Sequence, residues 1–340
     1  MKKLFSVSLL VFAIHFCFAQ NFTKDELKFL KKKEDSLKGY ALNIIQGINS
    51  LDRFNADSQF TRTFVRALLT KNSFYYPFDS LETISKLYAP DSSFRIYTWQ
   101  LVINDNVVRQ HGAIQMRTYD GSLKLYGLID KSDVTEKLAD TVGNHRGWIG
   151  AVYYKIIQKK SGTQNYYTLL GYDENNINTN RKIIEVLDFN GDEPNFGGRY
   201  FSFEEDTVFK SSVSRFILEY KKAAGARMNY DPDMDMIIYE HLISESNEPK
   251  KKWTLVGDGD YEGFKWKNGK WIHIEKVFNA ITPLNQEPVP NPIRDNQGNI
   301  DPSKVKDNED ESKIPSEEKT EPKPEVKPKP KTVKPKKKGT

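Results

Sequence analysis

The segment Asp258 to Trp271, DGDYEGFKWKNGKW, offers two kinds of chemistry at once. Asp258, Asp260 and Glu262 stand at the first, third and fifth positions of a helix–loop–helix calcium loop, and Gly263 stands at the sixth. The twelfth position, where a bidentate Glu closes such a loop, is Gly269. Asn268-Gly269 between alternating runs is instead the signature of a type I′ hairpin turn. That turn pairs Lys267 with Lys270, Trp266 with Trp271 and Phe264 with His273. Phe264, Trp266, Trp271 and His273 then share one face, with Lys265, Lys267, Lys270, Ile272 and Ile274 on the other. The spacing predicts a hairpin glued by a Trp–Trp pair rather than a cation site.

A second acidic run, Asp231-Pro232-Asp233-Met234-Asp235, reads as turn chemistry leading into a strand. Along that strand Asp235, Tyr239 and His241 fall on one face, which admits a solvated surface or a metal or catalytic cluster. Together with Trp266, Trp271 and His273 they are the candidate ligand-binding residues. The remaining histidines of the mature chain, His111 and His145, complete no metal-ligand spacing such as HExxH, and no metal or cofactor is expected. There is no GxSxG elbow, no P-loop and no GxGxxG. Cys17 is the only cysteine, and it lies in the leader, so thiol catalysis and thiolate zinc sites are excluded. Two routes stay open. Dispersed carboxylates can form a hydrolase pair, and Trp99, Trp148, Trp253, Trp266 and Trp271 can form a stacking platform or simply fill a core.

The elements that must position these residues are legible in outline. Met1 to Ala19 has a basic start, an apolar run and a small residue at its end, the pattern of a secretory signal cleaved before Gln20. Lipidation at Cys17 is disfavoured by Phe16, where a small residue is needed. The chain is therefore expected to be exported, periplasmic or secreted, and it builds its core without disulfides. No later apolar run reaches membrane-spanning length.

Residues 20–90 read as a helical region. Thr23 and Glu26 form a capping box, Phe22 and Leu27 a hydrophobic staple. Leu27, Leu30, Leu37, Ala41, Ile44 and Ile48 make a seam interrupted only by Glu34. A second helix over Asn55 to Leu69 carries Phe60, Phe64, Val65 and Leu68 on one face, which predicts an antiparallel helical hairpin docked on the protein's own sheet. Residues 91–282 read as strands at period two: Arg95 to Ile103, Ala113 to Tyr119, Leu123 to Ile129, Ile149 to Gln158, Tyr166 to Tyr172, Lys182 to Phe189, Arg215 to Tyr220, Met234 to Ile243 and Trp253 to Val256. Short polar turns separate them, so the expected fold class is α+β. A helical hairpin leads into a large antiparallel β domain with meander connections, barrel-like or a small propeller.

Residues 283–340 are Pro-, Lys- and Glu-rich, with almost nothing apolar, and are expected to be disordered. The full chain carries a net charge of +5. Loss of Lys2 and Lys3 leaves +3. Pro322 to Thr340 holds eight Lys and one Glu, or +7, so the rest is 3 − 7 = −4. Basicity confined to a tail argues against a nucleic-acid-binding domain. It suits a contact with an anionic envelope polymer or lipid headgroups.

YPFDSLETISKLYAPDSSFRIYTWQL from Tyr76, YYTLLGYDENN from Tyr166, TNRKIIEVLDF from Thr179, MDMIIYEHL from Met234 and GDYEGFKWKNGKW from Gly259 resemble a group of exported bacterial proteins of unknown function. The resemblance spans most of Phe22 to Asn279 and implies one coherent domain, but it brings no catalytic residues. The expected role is an envelope-associated binding or scaffolding protein, with a hydrolase of an envelope polymer as the alternative.

Overall fold

The computed structural model describes residues 22–104, 107–208 and 210–278. The leader, Cys17 and the tail lie outside them.

Helix α1 (Lys24–Gln46) starts as its sequence dictates. Thr23 accepts from the Glu26 amide and the Glu26 carboxylate reaches back to the Thr23 amide at 2.7 Å. The seam Leu30, Leu37, Ala41 and Ile44 is buried. Glu34, its polar interruption, is buried too, because Tyr76 Oη (2.5 Å) and the Ser80 amide (2.8 Å) donate to it. Ile48 does not continue the seam. The helix has ended, and the side chain is 95% exposed. Helix α2 (Ser50–Leu68) begins five residues earlier than its apolar face suggests, because Asn49 caps it through the Asp52 amide. Phe60, Phe64 and Leu68 are buried, whereas Val65 lies on the rim.

The strands form three sheets. The first has the order β1 (Ser85–Tyr88), β2 (Phe94–Asn104), β3 (Val107–Met116), β4 (Lys124–Ile129). Its first strand lies ahead of residue 91, so the β region begins at Ser85. The second runs β5 (Gly143–Asn144), β9 (Glu193–Phe196), β8 (Thr179–Asn190), β7 (Gln164–Asp173), β6 (Val152–Ser161), with β11 (Arg215–Lys221) on the other half of the β8 edge. The third runs β10 (Phe201–Ser202), β15 (Lys270–Ile274), β14 (Leu255–Lys267), β13 (Met236–Ser244), β12 (Met228–Asp231). The strand pairs are antiparallel except β10–β15, which is parallel. Strand β3 starts at Val107, earlier than alternation alone shows, and Trp253 and Thr254 belong to a short 3-10 turn ahead of β14.

These sheets stack as open layers and close no barrel. The reason lies in β2 and β8. Tyr97, Trp99 and Leu101 face the helices, while Phe94 and Ile96 face the second sheet. Ile183 and Leu187 face the first sheet, while Ile184 and Val186 face the third. A barrel buries one face of each strand; strands apolar on both faces need a layer on each side. The edges are managed without closure. Strands β10 and β12 are short, and residues 145–148 cover β4 through Ile129 N→His145 O (2.8 Å) and Trp148 N→Ile129 O (3.1 Å).

The Trp266 hairpin has the register its Asn-Gly turn predicts, Trp266↔Trp271 and Phe264↔His273. Asn268 and Gly269 take φ of 53° and 79°, as a type I′ turn requires. The acids of the calcium-like spacing lie inside β14. Asp258 to Asp260 form a bulge opposite His241, with Gly259 at φ 90°.

Candidate functional site

A cavity of about 530 Å³ opens where β3, the end of β4, the end of β7 and the start of β8 meet. Four carboxylates line it, Asp130, Asp133, Glu136 and Asp173, and two of them are linked. Asp130 follows β4, and its Oδ1 accepts from the Ser132 amide (2.9 Å), the Ser132 hydroxyl (2.5 Å) and the Gly150 amide (3.1 Å). Its Oδ2 accepts from the Gln110 amide at 3.0 Å. Asp173 ends β7, and its Oδ1 accepts from Gln110 Nε2 (2.9 Å) and the Asn175 amide (3.0 Å). Arg181 Nη1 stands 3.6 Å from its Oδ2. Gln110 therefore ties both acids together, one with its backbone and one with its side chain.

Burial pushes the Asp173 carboxyl above its ordinary range. The Asn175 amide, Arg181 and Gln110 oppose that shift, and the charge of Asp130 adds to it. The cations of the cavity are also paired: Arg181 Nε with Glu219 (3.0 Å), Arg109 Nη2 with Asp133 (2.8 Å). Nothing in the sequence singles these residues out, because Asp130-Lys131-Ser132 and Asp173-Glu174-Asn175 have the pattern of ordinary Asx turns, which they also are.

The sequence-derived candidates divide differently. Tyr239, His241 and His273 do converge, through Glu262. Tyr239 Oη donates to Glu262 Oε2 (2.7 Å), and His273 Nε2 lies 2.6 Å from Tyr239 Oη and 3.0 Å from Glu262 Oε2. His273 Nδ1 faces Asp206 Oδ1 at 2.8 Å. His273 is thus a buried imidazole held between two carboxylates. His241, at the rim, pairs with Asp258 (2.8 Å) and stands 3.6 Å from Glu262. Burial would raise Glu262, but hydrogen bonds from His273 and Tyr239 outweigh it and hold the carboxyl low. Burial, with the Glu262 charge beside it, drives Tyr239 well above its ordinary value.

The face that carries Tyr239 is therefore core at Ile237 and Tyr239, not a solvated surface. Asp235 is not among this group. It precedes β13 in a turn at φ 50° and pairs with Lys159 and Tyr230. Trp271 is fully buried and donates to Thr168 Oγ1 at 2.8 Å, while Trp266 is half-buried and packs edge-on against it at 5.3 Å. Trp99 and Trp148 are core as well, and Trp253 is 51% exposed, so the five indoles form no stacking platform.

Among the described residues no group of three or more His, Cys, Asp or Glu side chains is placed to hold a metal ion, and no helix is long and apolar enough to cross a membrane. No family model, curated protein or solved structure matches the chain.

Proposed function

We propose that this chain is an exported, envelope-associated binding or scaffolding protein that does no covalent chemistry. The observation that carries the reading is the state of the acids in the cavity. Asp130 has four fixed donors, and Asp173 has two, with Arg181 beside it. A general acid or base must exchange its proton with a substrate; three of these four oxygens are occupied by the fold, and the fourth, Asp173 Oδ2, faces Arg181 at 3.6 Å. The raised carboxyl of Asp173 is the feature that favours the hydrolase alternative, and it sets the test.

The secretory pattern of Met1 to Ala19 supports export, and the +7 tail supports contact with an anionic envelope polymer or lipid headgroups. The mature protein should begin at Gln20 by N-terminal sequencing. It should sediment with isolated envelopes, less so as salt rises and less so after truncation before Pro283. It should release no soluble fragments from them. Release of fragments, abolished in Asp173→Asn, would establish the hydrolase instead.

A further inference from the structure

A second cavity, about 510 Å³, lies on the helix-facing side of β3 and β4 and shares Arg109 and Asp130 with the first. Arg109 and His111 line it from β3, and His145 and Arg146 from the segment that covers the β4 edge. Two guanidinium groups and two imidazoles thus line one cavity whose lining carries a single carboxylate, Asp130.

The nearby carboxylates are all committed. Asp57 accepts from Trp99 Nε1 (2.7 Å) and faces His111 Nδ1 (3.2 Å). Asp130 is saturated by the amides and hydroxyl described above. Asp133 engages one nitrogen of Arg109. The basic groups retain capacity. His111 Nδ1 faces a carboxylate and His145 Nδ1 faces the Gly127 carbonyl at 3.2 Å, so each ring donates from Nδ1; each Nε2 has no partner among the described residues and donates to an anion when the ring carries both protons. The Arg146 side chain is exposed and has no partner among the described residues, its backbone amide alone being held by Asn144.

The floor is open as well. A Cβ on Gly127 would meet nothing within 4 Å. One wall is apolar, formed by Leu128 and Ile129 beside the edge of Trp99.

We propose that this cavity binds a phosphoryl group carried on a larger molecule. Four separate nitrogen-bearing side chains suit an anion with three or more oxygens better than a carboxylate with two. The volume and the apolar wall leave room for the carrier. This site lies in the folded body and does not depend on the charge of the tail.

The test is equilibrium dialysis of the full mature chain with labelled glycerol 3-phosphate at near-physiological salt. A parallel arm measures co-sedimentation with phosphatidylcholine vesicles with and without phosphatidic acid. Arg146→Gln removes the unpartnered cation, and Gly127→Leu fills the floor without touching a charge. Saturable binding that weakens about tenfold or more in both variants, with melting unchanged, supports the site. An effect in solution points to a soluble phosphate ester, and an effect confined to phosphatidic acid vesicles points to a lipid headgroup. The proposal is overturned if neither probe binds saturably, if both variants bind like the wild type, or if acetate displaces the probe as well as phosphate does. Tail-driven sedimentation would survive each of those results, so its failure is separable from failure of this site.

Discussion

Trp271 and Trp266 face each other across one hairpin yet carry unequal weight. Trp271 is fully enclosed, touches the second sheet through Thr168, and holds its indole N–H bond in the core. Trp266 keeps one side in solvent and donates only a long 3.3 Å bond to the Lys160 carbonyl. Trp271→Ala should therefore cost about 3–5 kcal/mol, and Trp266→Ala roughly half of that; denaturant melts of the two variants check the order. At the cavity the sensitive residue is Gly150. A Cβ there would sit 2.3 Å from Gln110 Cβ and 2.7 Å from Asp130 Cγ. Gly150→Ala should destabilise by about 1–3 kcal/mol through overpacking and loosen the Gln110 bridge, seen as faster exchange of the Gln110 amide. Equal stability and unchanged exchange would mean that the bridge tolerates displacement.

Between elements, the first sheet is fixed to the helical region by a buried cation. Arg95 on β2 is 1% exposed. It has no carboxylate among the partners described for it, and its guanidinium is satisfied by neutral acceptors: the Tyr76 carbonyl (2.7 Å), the Ser73 carbonyl (2.7 Å), Gln115 Oε1 (3.0 Å) and Tyr88 Oη (2.7 Å). The rings of Phe74, Phe78, Tyr88 and Tyr97 surround it, the nearest centroid at 4.7 Å. A fork of five donors meets four acceptors and four π faces, which a lysine cannot match. Arg95→Lys should cost about 3 kcal/mol or more, and a variant that melts like the wild type would show that the fork is not what holds the layers. The pairing of elements was only partly legible in sequence. Alternation located most of the long strands, but β1, β5, β9, β10 and β12 span two to four residues each, too short for a period to register. Arg95 shares its face of the strand with Tyr97, Trp99 and Leu101, and nothing in FRIYTWQL says that a cation on that apolar face will be fully enclosed.

Across the whole molecule, carboxylates that respond to pH join one layer to another or hold strands together within a layer. Asp91, between β1 and β2, accepts from Tyr167 on β7 at 2.7 Å. Asp235 pairs with Lys159 on β6, and Asp258 and Glu262 hold the histidines of the third sheet. Burial raises each of these acids, but hydrogen bonds outweigh it and hold all four below their ordinary values of 3.8 for Asp and 4.5 for Glu. Their contribution is present in full above the unfolded values and fades as pH falls through the depressed folded ones. Asp173 has the opposite sign. Its raised carboxyl favours the fold at low pH and disfavours it as pH rises through the folded value. Melting temperature should therefore drop on acidification below about pH 4.5, and Asp173→Asn, which removes the opposing contribution, should drop further than the wild type. A flatter acid limb in that variant would contradict the assignment.

The capping box at Thr23, the Asn268-Gly269 turn and the Trp266–Trp271 register were settled by the sequence alone, because each is decided within a few residues by backbone geometry and local hydrogen bonds. The helical hairpin on a sheet and the antiparallel β region followed from periodicity for the same reason. What only the tertiary structure decided were the contacts between residues far apart in the chain. These include the stacking of three open sheets instead of a barrel, the convergence of Asp130 and Asp173 on Gln110, and the gathering of Tyr239, Glu262, His273 and Asp206. An acid next to a turn residue has the same local signature whether it caps a loop in water or meets another acid in a cavity. The difference arises only when packing removes the water, and packing is set by which layer covers which face.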